Sequence, residues 1–160
     1  MRAMSLVRRA TAGDAREVLR LRQVMIDSMA GPDAGDTDWH LEGLPSLRER
    51  LADAEGDFAA FVVDHPERPG VLAALVVGTV DYRIGKAGNP RGLAGYVFSV
   101  ATEPDARRRG YARACMEELL AWFRERGAGQ VLLTASKEAE PLYAALGFVR
   151  KPDPAMGLRL

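Results

Sequence analysis

The chain has 160 residues, of which 48% are hydrophobic and 28% charged, a composition typical of one globular domain with a substantial core. Its 22 Lys and Arg balance 22 Asp and Glu, which argues against a general binder of nucleic acid or of anionic membranes, since both need a basic excess. A single cysteine, Cys115, and two histidines exclude an internal disulfide and make a metal site unexpected.

The chain carries no expected membrane or secretory segment. Its longest apolar stretch, residues 71–80, is far shorter than the roughly 18 residues that a membrane-spanning helix needs. Arg8 and Arg9 interrupt the apolar residues near the N-terminus before the core of a leader could form. We therefore expect a cytoplasmic domain that contacts neither membrane nor nucleic acid.

The first third of the chain predicts a strand and two helices. Residues 5–10 are expected to form the strand, and Thr11 and Asp14 then offer capping oxygens for a helix over residues 15–29. Apolar residues recur in that helix at helical spacing: Val18, Leu19, Leu21, Met25, Ile26 and Met29. Residues 31–43, rich in Gly, Asp and Pro, are predicted to be a loop, and residues 44–54 a short second helix.

The middle of the chain predicts a three-stranded antiparallel meander. Two apolar, β-branched runs, residues 58–64 and 71–84, are separated by the turn sequence HPERPG. A second turn over residues 85–92 leads into a strand over residues 93–101.

The last third alternates between helix and strand. Its predicted elements are a helix, a strand, a helix and a final strand: residues 111–126, 130–134, 138–146 and Phe148 onward. The strand–helix–strand unit over residues 93–134 implies a parallel pair with a right-handed crossover. We therefore predict a mixed α/β fold in one domain over residues 1–160.

The turn between the strand at 93–101 and the next helix has the features of an anion site. Backbone N–H groups at a helix start lack intrahelical partners, and Arg107, Arg108 and Arg109 add charge and bidentate donors. Gly110 permits close backbone approach, and Ala112 keeps a following position small. The alternative is a solvated arginine run beside an ordinary turn glycine. The placement between strand and helix favours a diphosphate.

The six residues Arg107-Arg108-Arg109-Gly110-Tyr111-Ala112 resemble the acetyl-CoA signature Gln/Arg-x-x-Gly-x-Gly/Ala of the GCN5-related N-acetyltransferase (GNAT) family. A second segment, Pro141–Phe148, resembles the family's later helix that carries a Tyr and then Leu-Gly-Phe. The element order is similar over essentially the whole chain. The resemblance implies a mixed, mostly antiparallel sheet with a splayed parallel pair and flanking helices, and acetyl-CoA as acyl donor without a metal.

The resemblance also assigns cofactor contacts. It implies a bulge in the strand before the turn, with the pantetheine arm lying in the gap beside it. Val100 and Thr102 would supply main-chain groups, Phe98 and Ser99 would lie near the thioester, and residues 107–112 would hold the diphosphate. Ser136 would contact the cofactor at a later turn; its alternative role is the N-cap of the following helix.

For catalysis, the resemblance makes Tyr143 the general acid that protonates the departing thiolate; the alternative is a core tyrosine. No carboxylate stands where some family members place a general base. Glu103, Asp81 and a water chain past Tyr96 and Ser99 are the remaining candidates.

The implied reaction is acetyl transfer to the amine of a small molecule or peptide. Residues 27–57 contain nine acidic residues but only two basic ones, Arg48 and Arg50, which favours a cationic amine as the substrate. The alternative is a solvated acidic surface. A rival function is a non-catalytic acyl-CoA sensor. An ATP or dinucleotide enzyme is disfavoured because neither phosphate-loop fingerprint occurs. A homodimer is left open.

Overall fold

The computed structural model describes residues 5–160. Residues 1–4, the start of the segment in which we expect no leader, lie outside this range. Five strands form one sheet in sequence order: β1 Arg8–Arg9, β2 Phe58–Asp64, β3 Leu72–Tyr82, β4 Leu93–Thr102 and β5 Gln130–Leu132. Neighbouring strands are antiparallel from β1 to β4, and β4 and β5 are parallel. The predicted mixed sheet with one parallel pair is confirmed.

Four α-helices flank this sheet: α1 Ala15–Ala30, α2 Trp39–Ala52, α3 Tyr111–Glu125 and α4 Glu140–Ala145. Short 3-10 turns occupy Ala12–Asp14, Gly31–Ala34 and Pro104–Ala106. No helix within residues 5–160 is both long and apolar enough to cross a membrane.

The capping residues read in the sequence hold the 3-10 turn Ala12–Asp14 that leads into α1, whereas α1 itself has no side-chain cap. The Thr11 N–H donates to Asp14 Oδ2 over 2.8 Å, which holds the chain at the helix entry. Arg8 donates to both carboxylate oxygens of Asp14 at 2.8 Å and to those of Asp64 at 2.9 Å. One guanidinium therefore joins β1, the start of α1 and the end of β2.

The second helix corrects the predicted loop over residues 31–43, because it begins at Trp39 rather than Leu44. Trp39 packs against the apolar cluster beneath α1, and the His40 ring lies 3.1 Å (Nε2 to Oε1) from Gln23 on α1. These contacts between helices outweigh the poor helix propensity of Gly43 and Pro45, so the helix extends through both.

The predicted strand from Phe148 onward is wrong. Phe148 packs against the Tyr143 ring at 5.9 Å between centroids, and its N–H donates to the Tyr143 carbonyl over 3.0 Å. Beyond it, Pro152 and Pro154 lack the N–H groups that a sheet ladder needs, and residues 149–160 are exposed. The first strand is likewise shorter than expected, with only Arg8 and Arg9 paired.

The core lies on both faces of the sheet, and α3 packs unusually close to one of them. Phe123 is buried over Gly78 and Gly95, where an added Cβ would come within 2.6 Å and 2.7 Å of its ring carbons. Cys115 on the same helix is also buried, and burial raises the pKa of its thiol to about 12. The close packing sets α3 firmly against β3 and β4. The burial and the raised pKa of Cys115 are those of a core cysteine rather than of a nucleophile.

Candidate functional site

Strand β4 contains a β-bulge at Ser99 and Val100. Leu75 faces Ala101 and Val77 faces Phe98, so two residues of β4 stand opposite one residue of β3. Ser99 has φ +54°, in the left-handed region that residues other than glycine rarely adopt. A bulge bends its strand and leaves ladder groups unpaired. The bulge expected in the strand before the turn is confirmed.

The two parallel strands separate just before that bulge. Pairing between β4 and β5 ends at Tyr96 and Leu132, whereas β4 continues to Thr102. The gap is a cleft of about 640 Å³, bounded by residues 97–102 of β4, by the segment after β5 and by the C-terminal turns of α1. An extended ligand in this cleft meets the unpaired edge of β4, as an added strand would.

One end of the cleft is the turn from β4 to α3. Arg108 has φ +63° and Gly110 has φ +79°, so the chain turns sharply before the helix. The Ala114 N–H donates to the Gly110 carbonyl over 3.0 Å, and no side chain caps the helix. The N–H groups of residues 111–113 therefore precede the first intrahelical bond and are available to an anion.

The three arginines of this turn have different surroundings. Arg109 donates to Glu67 Oε1 over 3.1 Å and to the Asp105 carbonyl over 3.2 Å. Arg107 lines the cleft, and both Arg107 and Arg108 are exposed without an ion pair to any residue of 5–160. The structure leaves two guanidinium groups, rather than three, free to meet a phosphate.

Most residues predicted for the site meet on this one cleft: Phe98, Ser99, Val100, Thr102, Arg107, Ala112, Ser136 and Tyr143. The other four lie in the turn and do not line it: Arg108, Arg109, Gly110 and Tyr111. The Ser136 hydroxyl accepts the Ala139 N–H over 3.2 Å in the turn before α4. The N-cap residue of α4 is Ala139, so Ser136 does not cap that helix directly, and it also lines the cleft.

Tyr143 reaches the cleft from α4. The residue is 6% exposed and packs into the apolar cluster beneath α3, as its alternative role required. Its hydroxyl makes no hydrogen bond within residues 5–160, and burial raises the pKa of the phenol above its usual value near 10. The phenol therefore stays protonated through the neutral range and can donate a proton into the cleft.

Neither carboxylate considered as a general base lines this cleft. Glu103 accepts a 2.6 Å hydrogen bond from Arg20 and lies 3.8 Å from Arg68, so its charge is matched by structural arginines. Asp81 lies 3.8 Å from Arg83 on the margin of a separate cavity. Tyr96 and Ser99 do line the cleft.

The acidic residues of segment 27–57 do not line the cleft either. Glu49, Asp53 and Asp57 border a separate cavity of about 530 Å³ between α2 and β3. Asp57 accepts a 2.8 Å hydrogen bond from Arg126. Within residues 5–160, no group of His, Cys, Asp and Glu is arranged to hold a metal ion.

Sequence reasoning missed several residues that line the cleft, among them Lys137 and Glu138, and also Arg22, which does not line the cleft but contacts it through Ser99. Arg22 extends from α1 and donates a hydrogen bond to the Ser99 hydroxyl at the bulge. The available signal was its spacing, because it stands four residues after Val18 and three before Met25, on the apolar side of the helix.

Comparison with known proteins agrees with this geometry. The model of the acetyltransferase (GNAT) family matches residues 25–148. Serotonin N-acetyltransferase 2, chloroplastic, from Oryza sativa subsp. japonica is 36% identical over 62 residues, which are 39% of this chain and 31% of that protein. The chain thus matches about a third of the length of that curated relative.

Solved structures share the fold over nearly the whole chain. A GCN5-related N-acetyltransferase from Ralstonia eutropha JMP134 is 25% identical, with TM-score 0.74 over 95% of this chain and 97% of that one. A predicted acetyltransferase from Clostridium acetobutylicum, solved with acetyl-CoA, is 23% identical, with TM-score 0.78 over 98% and 96%.

Proposed function

Because the chain belongs to the acetyltransferase (GNAT) family, we propose that it transfers an acetyl group directly from acetyl-CoA to a primary amine of a small molecule or peptide. The observation that carries the proposal is the continuity of one cleft. It runs from the uncapped start of α3, along the unpaired edge of β4, to the bulge and the free hydroxyl of Tyr143.

The donor fits this cleft in one direction. Its diphosphate binds the N–H groups at the start of α3 together with Arg107 and Arg108, since charge and dipole both favour an anion there. The pantetheine arm follows the main chain at Val100 and Thr102, which brings the thioester to Phe98 and Ser99. Main-chain N–H groups of the bulge then polarise the thioester carbonyl as charge develops on its oxygen.

The reaction exchanges one bond at the acetyl carbon. The neutral amine attacks the carbonyl carbon, a C–N bond forms, the C–S bond breaks, and Tyr143 gives its proton to the departing thiolate. The nitrogen loses one N–H proton as the amide forms, and a proton returns to Tyr143 through water, which restores the phenol. An alkylamine with a pKa of about 10 must first lose a proton, at a cost of about 4 kcal/mol at neutral pH. We assign that proton to water beside Tyr96 and Ser99, because neither Glu103 nor Asp81 reaches the cleft.

The competing function is a non-catalytic acyl-CoA sensor. It is suggested by the position of Glu138, the acidic residue among those that line the cleft, which lies after β5 and not on the strand before the turn, where some family members place a general base. A sensor binds acetyl-CoA without amine-dependent release of thiol, whereas the proposed enzyme releases thiol with at least one amine of a broad panel. Calorimetry with acetyl-CoA beside a thiol-release assay separates the two.

A further inference from the structure

Arg22 occupies a position that the helical pattern reserves for an apolar residue. The side of α1 that faces the sheet follows the spacing Ala15, Val18, Arg22 and Met25. Ala15 and Val18 are buried, and Met25 packs against the same apolar cluster. A guanidinium on such a side is costly unless an anion matches its charge.

The protein itself supplies that anion for other partly buried arginines. Arg8, Arg20 and Arg126 each lie 2.6–2.8 Å from a carboxylate. Arg9 has no ion pair within residues 5–160, but its guanidinium lies 5.6 Å from the centre of the Trp122 ring, whose face attracts a cation.

Arg22 has neither kind of partner. Its hydrogen bond within residues 5–160 goes to the neutral Ser99 hydroxyl, and it forms no ion pair there. The positive charge of Arg22 is therefore unmatched by the described part of the chain.

The unmatched charge stands beside the place where the reacting groups meet. Ser99 lies in the bulge and lines the cleft, as do Val24 and Met25, two and three residues after Arg22 on α1. Arg22 is not itself a lining residue and reaches the cleft at Ser99. The diphosphate site lies further along the chain, beyond Thr102, the last residue of β4, which is three residues after Ser99. An anion bound by Arg22 is consequently a small one next to the acyl carbon, and a guanidinium matches the two oxygens of a carboxylate.

We propose that Arg22 binds a carboxylate borne by one of the two reacting molecules, close to the transferred carbonyl. This inference rests on the proposed acyl transfer. The carboxylate belongs either to the acceptor, as in an α-amino acid, or to the acyl group, as in a dicarboxylic monothioester. Arg22 selects that substrate by pairing with it, while its contact with Ser99 holds the guanidinium at the bulge.

The test compares substrates that differ only in the carboxylate. Three amino acids are compared with the amines that lack their carboxylate, using acetyl-CoA as donor: phenylalanine with phenethylamine, lysine with cadaverine, and histidine with histamine. Succinyl-CoA is paired with butanoyl-CoA, using one common amine. We expect a preference in kcat/KM of at least about 30-fold for the carboxylate-bearing member in one arm, as is typical of a desolvated charge pair. The arm that shows the preference identifies the source of the carboxylate.

Three variants assign the preference to Arg22. Arg22→Met should abolish it while retaining turnover of the member without a carboxylate, and Arg22→Lys should keep part of it. Arg16→Met, an exposed arginine on the same helix, is the matched control and should behave as the wild type. The proposal is overturned if neither arm shows a preference. It is also overturned if Arg22→Met lowers kcat/KM equally for both members of a pair, which is the result expected if Arg22 only orients Ser99.

A binding measurement separates this proposal from the proposed function. Calorimetry of the CoA-loaded protein with phenylalanine and phenethylamine, and of the free protein with the two thioesters, needs no turnover. If no pair gives thiol release although acetyl-CoA binds, the proposed acetyl transfer is refuted but the carboxylate site is not. Equal affinities for the members of each pair refute the carboxylate site.

Discussion

At the scale of single residues, Tyr143 is immobilised by packing against Phe148, yet its hydroxyl makes no hydrogen bond within residues 5–160. We expect Tyr143→Phe to lower kcat about 10²- to 10⁴-fold, because the thiolate then leaves without a proton donor. The affinity for CoA should not change, since the ring and its packing stay. Thiol release and calorimetry measure the two quantities, and an unchanged kcat would leave Tyr143 a core residue only.

The arginines of the turn provide a second test at this scale. Arg108→Ala should weaken CoA binding, and the loss should shrink as salt rises, because screening weakens a charge contact at the surface. Arg109→Ala is the matched comparison and should reduce the affinity for CoA less, since Arg109 already pairs with Glu67. Equal CoA affinity of Arg108→Ala and wild type across salt concentrations would remove Arg108 from the phosphate site.

At the scale of elements, the turn before α3 depends on a left-handed residue at Gly110. An added Cβ at Gly110 meets no atom within 4 Å, so Gly110→Ala is opposed by backbone conformation alone, at about 1–2 kcal/mol. Gly88 has a similar φ of +84° and equally open surroundings, far along the chain in the β3–β4 turn. Urea unfolding should show similar losses for both alanine variants, whereas calorimetry should show weaker CoA binding for Gly110→Ala only. Equal CoA affinity in the two variants would contradict the role of this turn.

Elements whose pattern is local agree well with expectation. The amphipathic periodicity of α1 and α3 and the β-branched runs of β2 and β3 place those elements within a few residues. Each of the two helices buries one side, and the two strands are buried on both faces, so their patterns are continuous along the chain. The start of α2 differs because it depends on a contact with the distant residue Gln23. The path after Phe148 differs because Phe148 packs on Tyr143 and the prolines that follow cannot complete a sheet ladder. The sequence of residues 31–43 does not indicate the contact between Gln23 and His40 that extends α2.

At the scale of the whole molecule, Arg8 joins three elements through Asp14 and Asp64, and its hydrogen bonds lower the pKa of both carboxyls. A carboxyl whose pKa is lower in the folded state stabilises the fold above its usual pKa of about 4, and this stabilisation is lost as pH falls through the folded value. We therefore expect the wild type to lose stability in acid, and Arg8→Gln to lose less between neutral pH and about pH 3.

Urea midpoints at the two pH values measure that difference. Arg113→Gln is the control, because the Arg113–Glu117 pair is exposed on one helix and contributes little. An identical loss of midpoint in wild type and Arg8→Gln would show that other groups govern the acid sensitivity.

The balance of 22 basic and 22 acidic residues argues against broad polyanion binding from composition alone, and the local motifs at 107–112 and 141–148 were sufficient to predict the family and to suggest a cofactor turn. These features are local, since a helix start, a glycine and its neighbouring arginines lie together in the chain. Only the tertiary structure showed that Arg109 pairs with Glu67, that the acidic residues of segment 27–57 do not line the cleft, and that Arg22 donates to Ser99. Each of these results depends on which distant side chain stands opposite a charge, and charges separated by tens of residues become neighbours only when the sheet and its helices pack.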